Sequence, residues 1–475
     1  MDEIKLSDEV IEQIKDFNYE DLTKEQESLI NKLILNEESK TYYKKYGFCK
    51  KCKQLRICIS YNKCNYCIFQ PNFKNWTSGN HKVDEFIQKA QLKAEVYVKI
   101  IEWIEYDKFE DIQYLAKGGF GTTYKAIWKD GNINSIDRNG KLERLGEREV
   151  ALKCLHNSQD ITAEFLKEVE SNILATSDFV VHCFGITKDP KTNNFMMVMD
   201  LKERSLRHHL NINFNSLDWR NKLALLYNIS CGLNEIHYSG LIHHDFHCGN
   251  LLNSDKFAYI TDLGLCQPAN VKSSQNDKKK IYGVLPYVAP EILRGKDYTQ
   301  ESDIYGFGII AYEICTGLPP YHDIPHDEFL AIKICKGLRP KSNYKIPQLI
   351  LDIINQCWDV DPSKRPKAAE LLYLIYDLYK CSTRPDTAIW KQIKEVDEIN
   401  KKSSSSTVQS SLLSTGTLSY ATHPQAVYSS RLLDFKNLPE PKNADNNGDS
   451  FDKEYSESLK MDFTKLAINS KDESN

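Results

Sequence analysis

The sequence has no long hydrophobic run, no large excess of charge and no apolar leader. Its main apolar stretches, Phe307–Cys315 and Leu371–Tyr379, are much shorter than the ~20 residues that a membrane-spanning helix needs. The opening residues, MDEIKLSDEV, are acidic and hold no hydrophobic segment, so we expect no secretory signal. A net charge of −4 gives no general attraction to nucleic acids or anionic membranes. These absences favour a cytoplasmic protein, or a nuclear one, without a membrane partner.

Cysteine is plentiful, with fourteen in the chain, although nothing directs the chain to an oxidising compartment. Under reducing conditions cysteines serve as core residues or metal ligands rather than in disulfides. Cys49-x2-Cys52 and Cys64-x2-Cys67 form two close pairs, and eleven residues separate the pairs. Such pairs can place four thiolates in a tetrahedron around Zn²⁺, which would stabilise a segment with little apolar content. We therefore predict a structural zinc module at residues 41–80, with these four cysteines as ligands.

The zinc prediction has alternatives within the same segment. Cys58, in the spacer, could replace one of the four ligands, and the competing interpretation is that all of these are ordinary free thiols. The segment is also locally basic, through Lys44, Lys45, Lys50, Lys51, Lys53 and Arg56. A basic surface can contact nucleic acid, but a solvated face or a protein-docking surface is the favoured interpretation. We therefore expect protein partners for this module and no nucleic acid.

The flanks of the chain predict structure rather than chemistry. Residues 1–40 show helical spacing of apolar residues, and a capping-box pattern at Thr23–Gln26 predicts the start of a second helix. Residues 81–105 predict a helical connector. Residues 383–475 are rich in serine, asparagine and charge, which predicts a largely disordered tail. One of its short apolar pieces, Arg431–Leu438, could dock a partner.

The stretch LIHHDFHCGNLLNSDKFAYITDLGL, at residues 241–265, carries the clearest chemical pattern. Asp245 precedes Asn250 by five residues, and Asp262 follows twelve residues later, in front of a Leu-Gly pair. Phosphoryl transfer needs one carboxylate near the attacking hydroxyl and oxygen ligands for the Mg²⁺ that neutralises the phosphates. These three residues supply that set. Because D-x-x-x-x-N alone is a common chance match, the interpretation depends on further elements in the right order.

Upstream elements fit the same chemistry. The segment LAKGGFGTTY at residues 115–124 is glycine-rich, and glycine lets backbone N–H groups approach phosphates closely. Lys153 ends the apolar run VALK, and a lysine inside a buried strand is costly unless an acid pairs with it. Glu168, fifteen residues on in a predicted helix, is the expected partner, and Glu164 and Glu170 are the competing candidates.

Downstream, an A-P-E triplet ends in Glu291, the segment SDIYGFG contains Asp303, and CWDVDPSKRP contains Arg365. In this order the elements resemble those of eukaryotic protein kinases, in which they read V-A-I-K, H-R-D-L-x-x-x-N, D-F-G and A-P-E. The helix FLKEV and the ending CWDVDPSKRP look most like the tyrosine-kinase-like group. The resemblance covers residues 106–382. It implies that Asp303 steadies the catalytic loop and that Arg365 pairs with Glu291.

The resemblance implies an α+β bilobal fold, with a β-rich N-lobe and a helical C-lobe between the zinc-ribbon-like module and the tail. It also implies an enzyme of signal transduction that transfers the γ-phosphate of ATP, with Mg²⁺ as cofactor, to Ser/Thr hydroxyls of protein substrates. Lys153 would hold the α- and β-phosphates, Glu168 would orient Lys153, and Asp245 would accept the hydroxyl proton. Asn250 and Asp262 would bind Mg²⁺.

The same resemblance implies an ATP pocket built from the glycine-rich loop, two neighbouring strands and the hinge. Its expected residues are Leu115, Ala116, Lys117, Gly118, Gly119, Phe120, Gly121, Thr123, Ala151, Lys153, Met199, Asp200, Lys202 and Leu252. Ala116 and Thr123 depart from the family pattern, which has glycine and valine at these places. Both are small enough to be tolerated. Met199 would be the gatekeeper residue.

Three further departures affect substrate choice and regulation. Val284 and His247 replace a threonine and a lysine that Ser/Thr kinases usually keep near the substrate, so a dual-specificity or tyrosine-directed kinase is an alternative. His244 replaces the arginine that grips an activation-loop phosphate in many kinases, so we expect activity independent of such a phosphate. A pseudokinase scaffold is the alternative outside enzymes, and the intact Lys153 and Asp245 argue against it.

Overall fold

The computed structural model describes residues 6–49, 51–57, 63–118, 121–137, 139–155, 162–254, 256–269, 281–406 and 420–443. Within these residues the chain has the predicted α+β architecture, with a mixed sheet followed by a helical lobe. None of the helices in this described part is long and apolar enough to cross a membrane.

Three helices form the start of the chain: α1 (Asp8–Ile14), α2 (Lys24–Leu33) and α3 (Glu37–Tyr46). The capping box expected at the start of α2 is present, because Thr23 and Gln26 each accept a hydrogen bond from the other's backbone N–H. Buried residues of all three helices meet in one small core, which also contains Leu55 of the cysteine-rich segment. The helices therefore support the segment that follows them.

The cysteine-rich segment continues into α4 (Asn65–Phe69) and then into the connector helix α5 (His81–Lys93). The side-chain amide of Asn65 donates to the backbone oxygens of Gln91, Leu92 and Ala94, at 3.1, 3.2 and 2.8 Å. These carbonyl groups lie at the C-terminal end of α5, where a helix leaves its last backbone oxygens without a full set of partners. Asn65 therefore fixes the cysteine-rich segment to the connector helix.

Eight strands and helix α6 make up most of the described part of the N-lobe. They are β1 (Glu102–Trp103), β2 (Phe109–Lys117), β3 (Gly121–Trp128), β4 (Ile133–Ile136), β5 (Leu142–Arg144), β6 (Arg148–Leu155), α6 (Ala163–Leu174), β7 (Cys183–Lys188) and β8 (Phe195–Asp200). Six strands form one sheet in the order β1-β7-β8-β6-β3-β2, in which only the β1–β7 pair is parallel. Thr162 caps α6, as its place in the sequence suggests, by accepting the N–H of Phe165 at 3.2 Å.

Two features of this lobe differ from the sequence-based expectation. The polar stretch 129–148 contains Gly131, Gly140 and Gly146, a composition that predicts a long loop, but the structure has the β4–β5 hairpin there. The hairpin is stable because Ile133 and Ile136 are buried against Ile68 and Phe69 of the cysteine-rich segment. The connector helix α5 is likewise part of the lobe, since its apolar face shares a core with α6 and the large sheet.

The C-lobe is mainly helical. Its elements are β9 (Arg204–Ser205), α7 (Leu206–Asn213), α8 (Trp219–Tyr238), β10 (Leu241–Ile242), β11 (Leu251–Ser254), β12 (Phe257–Ile260), β13 (Gln267–Pro268), β14 (Ile281–Gly283), α9 (Pro290–Leu293), α10 (Gln300–Thr316), α11 (Glu328–Cys335), α12 (Gln348–Cys357) and α13 (Ala368–Cys381). Asp218 caps α8 by accepting the N–H of Asn221 at 2.7 Å, and Gly240 follows the helix with φ of 72°. The buried helices α8 and α10 form the centre of the lobe and support the short strands between them.

The prediction of a largely disordered tail at 383–475 is wrong for two parts of it. Helix α14 (Ala388–Ser406) packs on the C-lobe through Ile389 and Ile393. Residues 420–443 lie along the same lobe and contain strand β15 (Arg431–Leu433). The composition misleads because a few apolar residues are enough to anchor a polar segment on a core that already exists. Residues 407–419 and 444–475 lie outside the described residues.

Candidate active site

Lys153 lies where strand β6 faces helix α6, in the cleft between the lobes. Its Nζ donates to Glu168 Oε1 at 2.6 Å and to Asp262 Oδ1 at 2.9 Å. Burial disfavours the ammonium charge, but the carboxylates of Glu168 and Asp262 outweigh this cost and raise the pKa of Lys153. The lysine is therefore charged and fixed. Among the three acids considered from the sequence, Glu168 is the one that Lys153 contacts.

Asp303 of helix α10 binds the backbone of the loop that carries Asp245. The backbone N–H groups of His243 and His244 donate to the two carboxylate oxygens of Asp303, at 2.8 and 3.2 Å. His237 contributes a third contact through Nε2, at 3.0 Å. Burial opposes ionisation of Asp303, yet these donors hold its pKa below the ordinary value. The carboxylate therefore fixes the backbone immediately before Asp245.

Asp245 itself is buried, with 4% of its surface exposed. The amide nitrogen of Asn250 donates to the backbone oxygen of Asp245 at 3.0 Å and to its Oδ2 at 3.2 Å. Burial alone would raise the pKa of Asp245. The donors His247 and Ser430 outweigh burial, so the pKa lies below its ordinary value. The Oδ1 atom is buried, and its polar contact with His247 Nε2, at 3.4 Å, is longer than a normal hydrogen bond. A deprotonated carboxylate with a free lone pair is suited to accept a proton.

Asn250 and Asp262 fit the role of magnesium ligands by the chemistry of their side chains. Because the Asn250 nitrogen points to Asp245, its amide oxygen is the atom left for a ligand. Asp262 holds φ at 62°, a conformation uncommon for residues other than glycine, and one of its oxygens already contacts Lys153. Carboxylate and amide oxygens are the hard ligands that Mg²⁺ prefers. A Cβ on Gly264 would lie 2.7 Å from Glu168 Oε2, so a larger residue at this position would displace the carboxylate that pairs with Lys153.

The expected ATP pocket residues come together through the sheet register. Ala116 lies opposite Thr123, Thr123 opposite Lys153, and Ala151 opposite Met199. The remaining described members lie at the ends of these strands, in the hinge or on β11: Leu115, Lys117, Gly118, Gly121, Asp200, Lys202 and Leu252. Gly119 and Phe120 lie outside the described residues. The register therefore places Thr123 directly beside Lys153 and Ala116 on the next strand.

Gly121 is the position in the glycine-rich loop where the structure explains the residue. A Cβ at Gly121 would lie 2.2 Å from the backbone oxygen of Cys154, a distance that backbone atoms cannot accept. The N–H of Gly118 donates to the oxygen of Gly121 at 2.8 Å and closes the turn between β2 and β3. The glycine therefore allows the start of β3 to lie close to strand β6, near Lys153.

The four cysteines of the two pairs also meet in space. Their sulfur atoms all lie within 4.8 Å of one another, with 3.8 Å between Cys49 and Cys67 and 3.2 Å between Cys52 and Cys64. Ligand sulfurs on a tetrahedral zinc with 2.3 Å bonds would be about 3.8 Å apart. The cluster therefore has the composition and approximate size of a four-thiolate site. Cys58, the alternative ligand, lies outside the described residues.

A contact with the tail is the feature of the site that sequence reasoning missed. The hydroxyl of Ser430 donates to Asp245 Oδ2, and His247 Nε2 lies 3.1 Å from the same hydroxyl oxygen. The two partners Ser430 and Asp245 are 185 residues apart, so no local pattern links them. The short apolar piece Arg431–Leu438 was the available signal, and it predicted docking on an external partner instead.

Comparison with known proteins identifies the same region. Residues 109–375 match the family described as protein tyrosine and serine/threonine kinase. A probable serine/threonine-protein kinase of Dictyostelium discoideum is 27% identical, over 58% of this chain and 28% of its own length. The dual specificity protein kinase shkE of the same organism is 30% identical, over 57% of this chain and 36% of its own length. A protein kinase and PP2C-like domain-containing protein of Arabidopsis thaliana is 26% identical, over 59% of this chain and 43% of its own length. This chain spans less than half the length of each relative.

Proposed function

The chain belongs to the protein tyrosine and serine/threonine kinase family, and we propose that it transfers the γ-phosphoryl group of ATP to serine or threonine hydroxyls of proteins. The observation that carries this proposal is Lys153, whose side chain is 13% exposed, charged and bonded to both Glu168 and Asp262. A fixed cation beside a magnesium-ligand acid serves phosphoryl transfer, where catalysis is mostly positioning and charge neutralisation. This chain covers less than half the length of each relative named above. The activity of the whole relatives is therefore not carried over, and transfer to serine or threonine is a proposal for this chain.

Each residue of the proposed site has a separate task. Lys153 binds the α- and β-phosphates of ATP, and Glu168 holds the lysine in place. Asn250 and Asp262 would hold Mg²⁺, which neutralises phosphate charge when bound. Asp245 orients the acceptor hydroxyl and takes its proton. The glycine-rich loop covers the phosphates, and the backbone between Asp200 and Lys202 would bind the adenine ring.

Preference for serine or threonine is supported by what reaches Asp245. The hydroxyl of Ser430 contacts this carboxylate, whereas the hydroxyl of nearby Tyr428 donates to the backbone oxygen of Pro320 at 2.9 Å. The FLKEV helix and the CWDVDPSKRP motif favour placement in the tyrosine-kinase-like group. The name of one relative, a dual specificity kinase, keeps tyrosine as a second acceptor to be tested.

A structural zinc ion is the second part of the proposal. The four sulfurs of Cys49, Cys52, Cys64 and Cys67 form a compact group, and the neighbouring Asn65 links this group to helix α5. A metal there would fix the segment that supports the β4–β5 hairpin and the connector helix. We propose that the module serves as a protein-docking surface in the cytoplasm or nucleus.

Phosphate transfer from labelled Mg-ATP tests the function directly. We expect the purified chain to phosphorylate a generic protein such as casein on serine and threonine, as mapped by mass spectrometry. The Asp245→Asn variant should bind ATP with similar affinity and lose transfer. A wild-type chain that binds Mg-ATP but phosphorylates neither itself nor any added protein would identify a pseudokinase instead.

A further inference from the structure

Residues 420–443 lie across the mouth of the active site. We refer to them as the docked segment. Strand β15 pairs antiparallel with β14, placing Tyr282 opposite Leu432 and Gly283 opposite Arg431. Strand β14 has β15 as its partner in the described part of the sheet, and an edge strand of this kind is a template for an added peptide strand. The chain therefore adds its own tail where an extended peptide substrate would bind.

The register of this pairing places one serine on the catalytic carboxylate. Ser430 is half-buried, and its hydroxyl donates to Asp245 Oδ2 while its oxygen lies 3.1 Å from His247 Nε2. Ser429, the neighbouring residue, is exposed. A hydroxyl that is to be phosphorylated has to lie within hydrogen-bond reach of the base that takes its proton. In the docked segment Ser430 meets this condition.

Contacts on both sides of Ser430 hold it in this position. On the N-terminal side, the ring of Tyr428 packs edge-on against His326, with 4.9 Å between the centroids. On the C-terminal side, the guanidinium of Arg431 donates to the backbone oxygen of His326, and Leu433 is 4% exposed in the C-lobe core. An aromatic, a basic and an aliphatic anchor therefore surround the acceptor.

Further along, the docked segment is fastened by polar contacts. The guanidinium of Arg294 forms a bidentate ion pair with Glu440, and its Nε donates to the backbone oxygen of Leu438 at 3.3 Å. The N–H of Lys442 donates to the oxygen of Cys335 at 2.8 Å. Bidentate arginine–carboxylate pairs fix geometry as well as adding energy. The segment is bound along its length, so the position of Ser430 is not set by a single contact.

We propose that the docked segment is an intramolecular substrate and that Ser430 is its phosphoacceptor. This inference rests on the proposed kinase function. In the transfer step the Ser430 oxygen bonds to the γ-phosphorus of ATP, and the bond from that phosphorus to the β,γ-bridging oxygen breaks. The hydroxyl proton passes to Asp245, and ADP leaves with the electron pair of the broken bond. The expected class of external substrate is an extended peptide. It has a basic residue directly after the serine, as at Arg431, and an aliphatic residue three positions after the serine, as at Leu433.

Phosphorylation would also release the segment. A phosphate carries about two negative charges at neutral pH, and phosphoserine 430 would place them beside the buried carboxylate of Asp245. Repulsion between the two groups opposes the docked arrangement, whereas the neutral hydroxyl favours it. The unphosphorylated segment blocks the edge of β14, and the phosphorylated one frees this edge for other substrates.

The first experiment follows phosphate on Ser430 in the full chain. Dephosphorylated protein is mixed with Mg-ATP, and phosphopeptides are quantified over time at several protein concentrations. We expect a first-order rate for Ser430 that does not change with protein concentration, abolished by Ser430→Ala, kept on threonine by Ser430→Thr and unaffected by Ser429→Ala. Phosphorylation of casein without phosphate on Ser430 overturns the inference and leaves the proposed function intact. A rate proportional to protein concentration overturns the intramolecular assignment.

The second experiment measures release of the docked segment rather than transfer of phosphate to Ser430. Amide hydrogen exchange of Ile281–Gly283 reports whether β15 is paired with β14. We expect Ser430→Glu to speed exchange at these residues, and Ser429→Glu to leave it unchanged. Release should raise kcat/KM for an added peptide about tenfold, equivalent to ~1.4 kcal/mol. Equal protection in both glutamate variants shows that charge at Ser430 does not release the segment and overturns that part. A chain that transfers phosphate to no acceptor overturns this inference together with the proposed function.

Discussion

The imidazole of His244 lies flat against the ring of Tyr298, with 4.3 Å between the centroids and 17° between the planes. Its backbone holds φ at 68°, and its N–H donates to Asp303. Burial lowers the pKa of His244 to about 4, so the ring is neutral at pH 7. A neutral, stacked imidazole cannot provide the charged fork with which an arginine grips a phosphate.

Activity is therefore expected not to depend on phosphorylation of the activation segment. The candidate acceptors are Ser273 and Ser274, which lie outside the described residues, and Tyr282 on β14. We expect the triple variant Ser273→Ala, Ser274→Ala and Tyr282→Phe to keep kcat close to that of the wild type. The measurement is steady-state kinetics beside phosphatase-treated wild type. A loss in both samples larger than about tenfold, or ~1.4 kcal/mol, would show that a phosphate there is gripped despite His244.

His244 also gives the stability of the fold a pH dependence. Its pKa of about 4 in the fold lies below the ordinary value of about 6.5. As the pH falls through 6.5, the unfolded chain takes up a proton at this position before the folded chain does. The contribution of His244 to the free energy of unfolding is therefore complete above pH 6.5. It is lost as the pH falls toward 4, by up to about 1.4 kcal/mol per pH unit.

The variant His244→Asn measures this contribution, because asparagine tolerates a positive φ and does not titrate. Urea unfolding of both proteins between pH 4 and pH 7 gives the two stability curves. We expect the wild-type curve to fall more steeply with decreasing pH than the variant curve. Parallel curves would show that His244 takes up its proton equally in the folded and unfolded chains.

Local signals in the sequence predicted several of the contacts that the structure shows. The capping box at Thr23–Gln26 was predictable because a helix start needs side-chain acceptors for its free N–H groups. The contact between Lys153 and Glu168 followed from the cost of burying a lysine without a partner. The short spacing of the paired cysteines likewise predicted that their sulfurs would meet. Each of these signals lies in the residues close to the feature it predicts.

The features that sequence reasoning missed are tertiary. The β4–β5 hairpin is stabilised by the cysteine-rich segment, which covers its residues Ile133 and Ile136. Leu433 and Leu438 anchor the docked segment because the C-lobe already offers an apolar surface and an unpaired strand edge. Composition therefore describes such a segment as disordered, since it cannot form a core by itself. The contact between Ser430 and Asp245 depends on this docking and has no signal of its own.

Removing the Lys153 ammonium should impair transfer without unfolding the protein. We expect Lys153→Met to lower kcat about 10²- to 10³-fold, the usual effect of losing an electrostatic contact in the transition state. Lys125→Met on the adjacent strand is the matched control, since Lys125 pairs with Glu149 at the surface. Kinetics and circular dichroism of both variants provide the comparison. Similar rates for the two variants would show that Lys153 does not contact the reacting phosphates.

Breaking the buried pair of Arg365 and Glu291 should destabilise the C-lobe. Two parallel hydrogen bonds of 2.7 and 2.8 Å join the side chains, whose exposed fractions are 0% and 6%. Arg365→Met leaves a buried carboxylate without its partner, which costs about 3–5 kcal/mol. The control Lys108→Met breaks a partly exposed pair with Asp130 and should cost ~0–1 kcal/mol. Equal unfolding free energies for the two variants would contradict this ranking.

The cysteine cluster should bind one zinc ion per chain. We expect elemental analysis of protein purified without chelators to find this zinc, and Cys52→Ser to lose it. Loss of the metal should expose the segment around Cys49–Cys67 to protease, because metal binding supplies much of the folding energy of such modules. The large sheet of the N-lobe and the helices of the C-lobe have hydrophobic cores that contain no residue of the cysteine-rich segment, so both should stay folded.

Cys381→Ser is the control for the zinc prediction, since Cys381 is partly exposed on α13, outside the cluster. It should keep the metal and the protease resistance of the wild type. The comparison separates loss of a ligand from a general effect of replacing a thiol. Zinc-free wild-type protein with a protease-resistant cysteine segment would contradict the proposal, because packing of Asn65, Ile68 and Phe69 would then hold the segment without a metal.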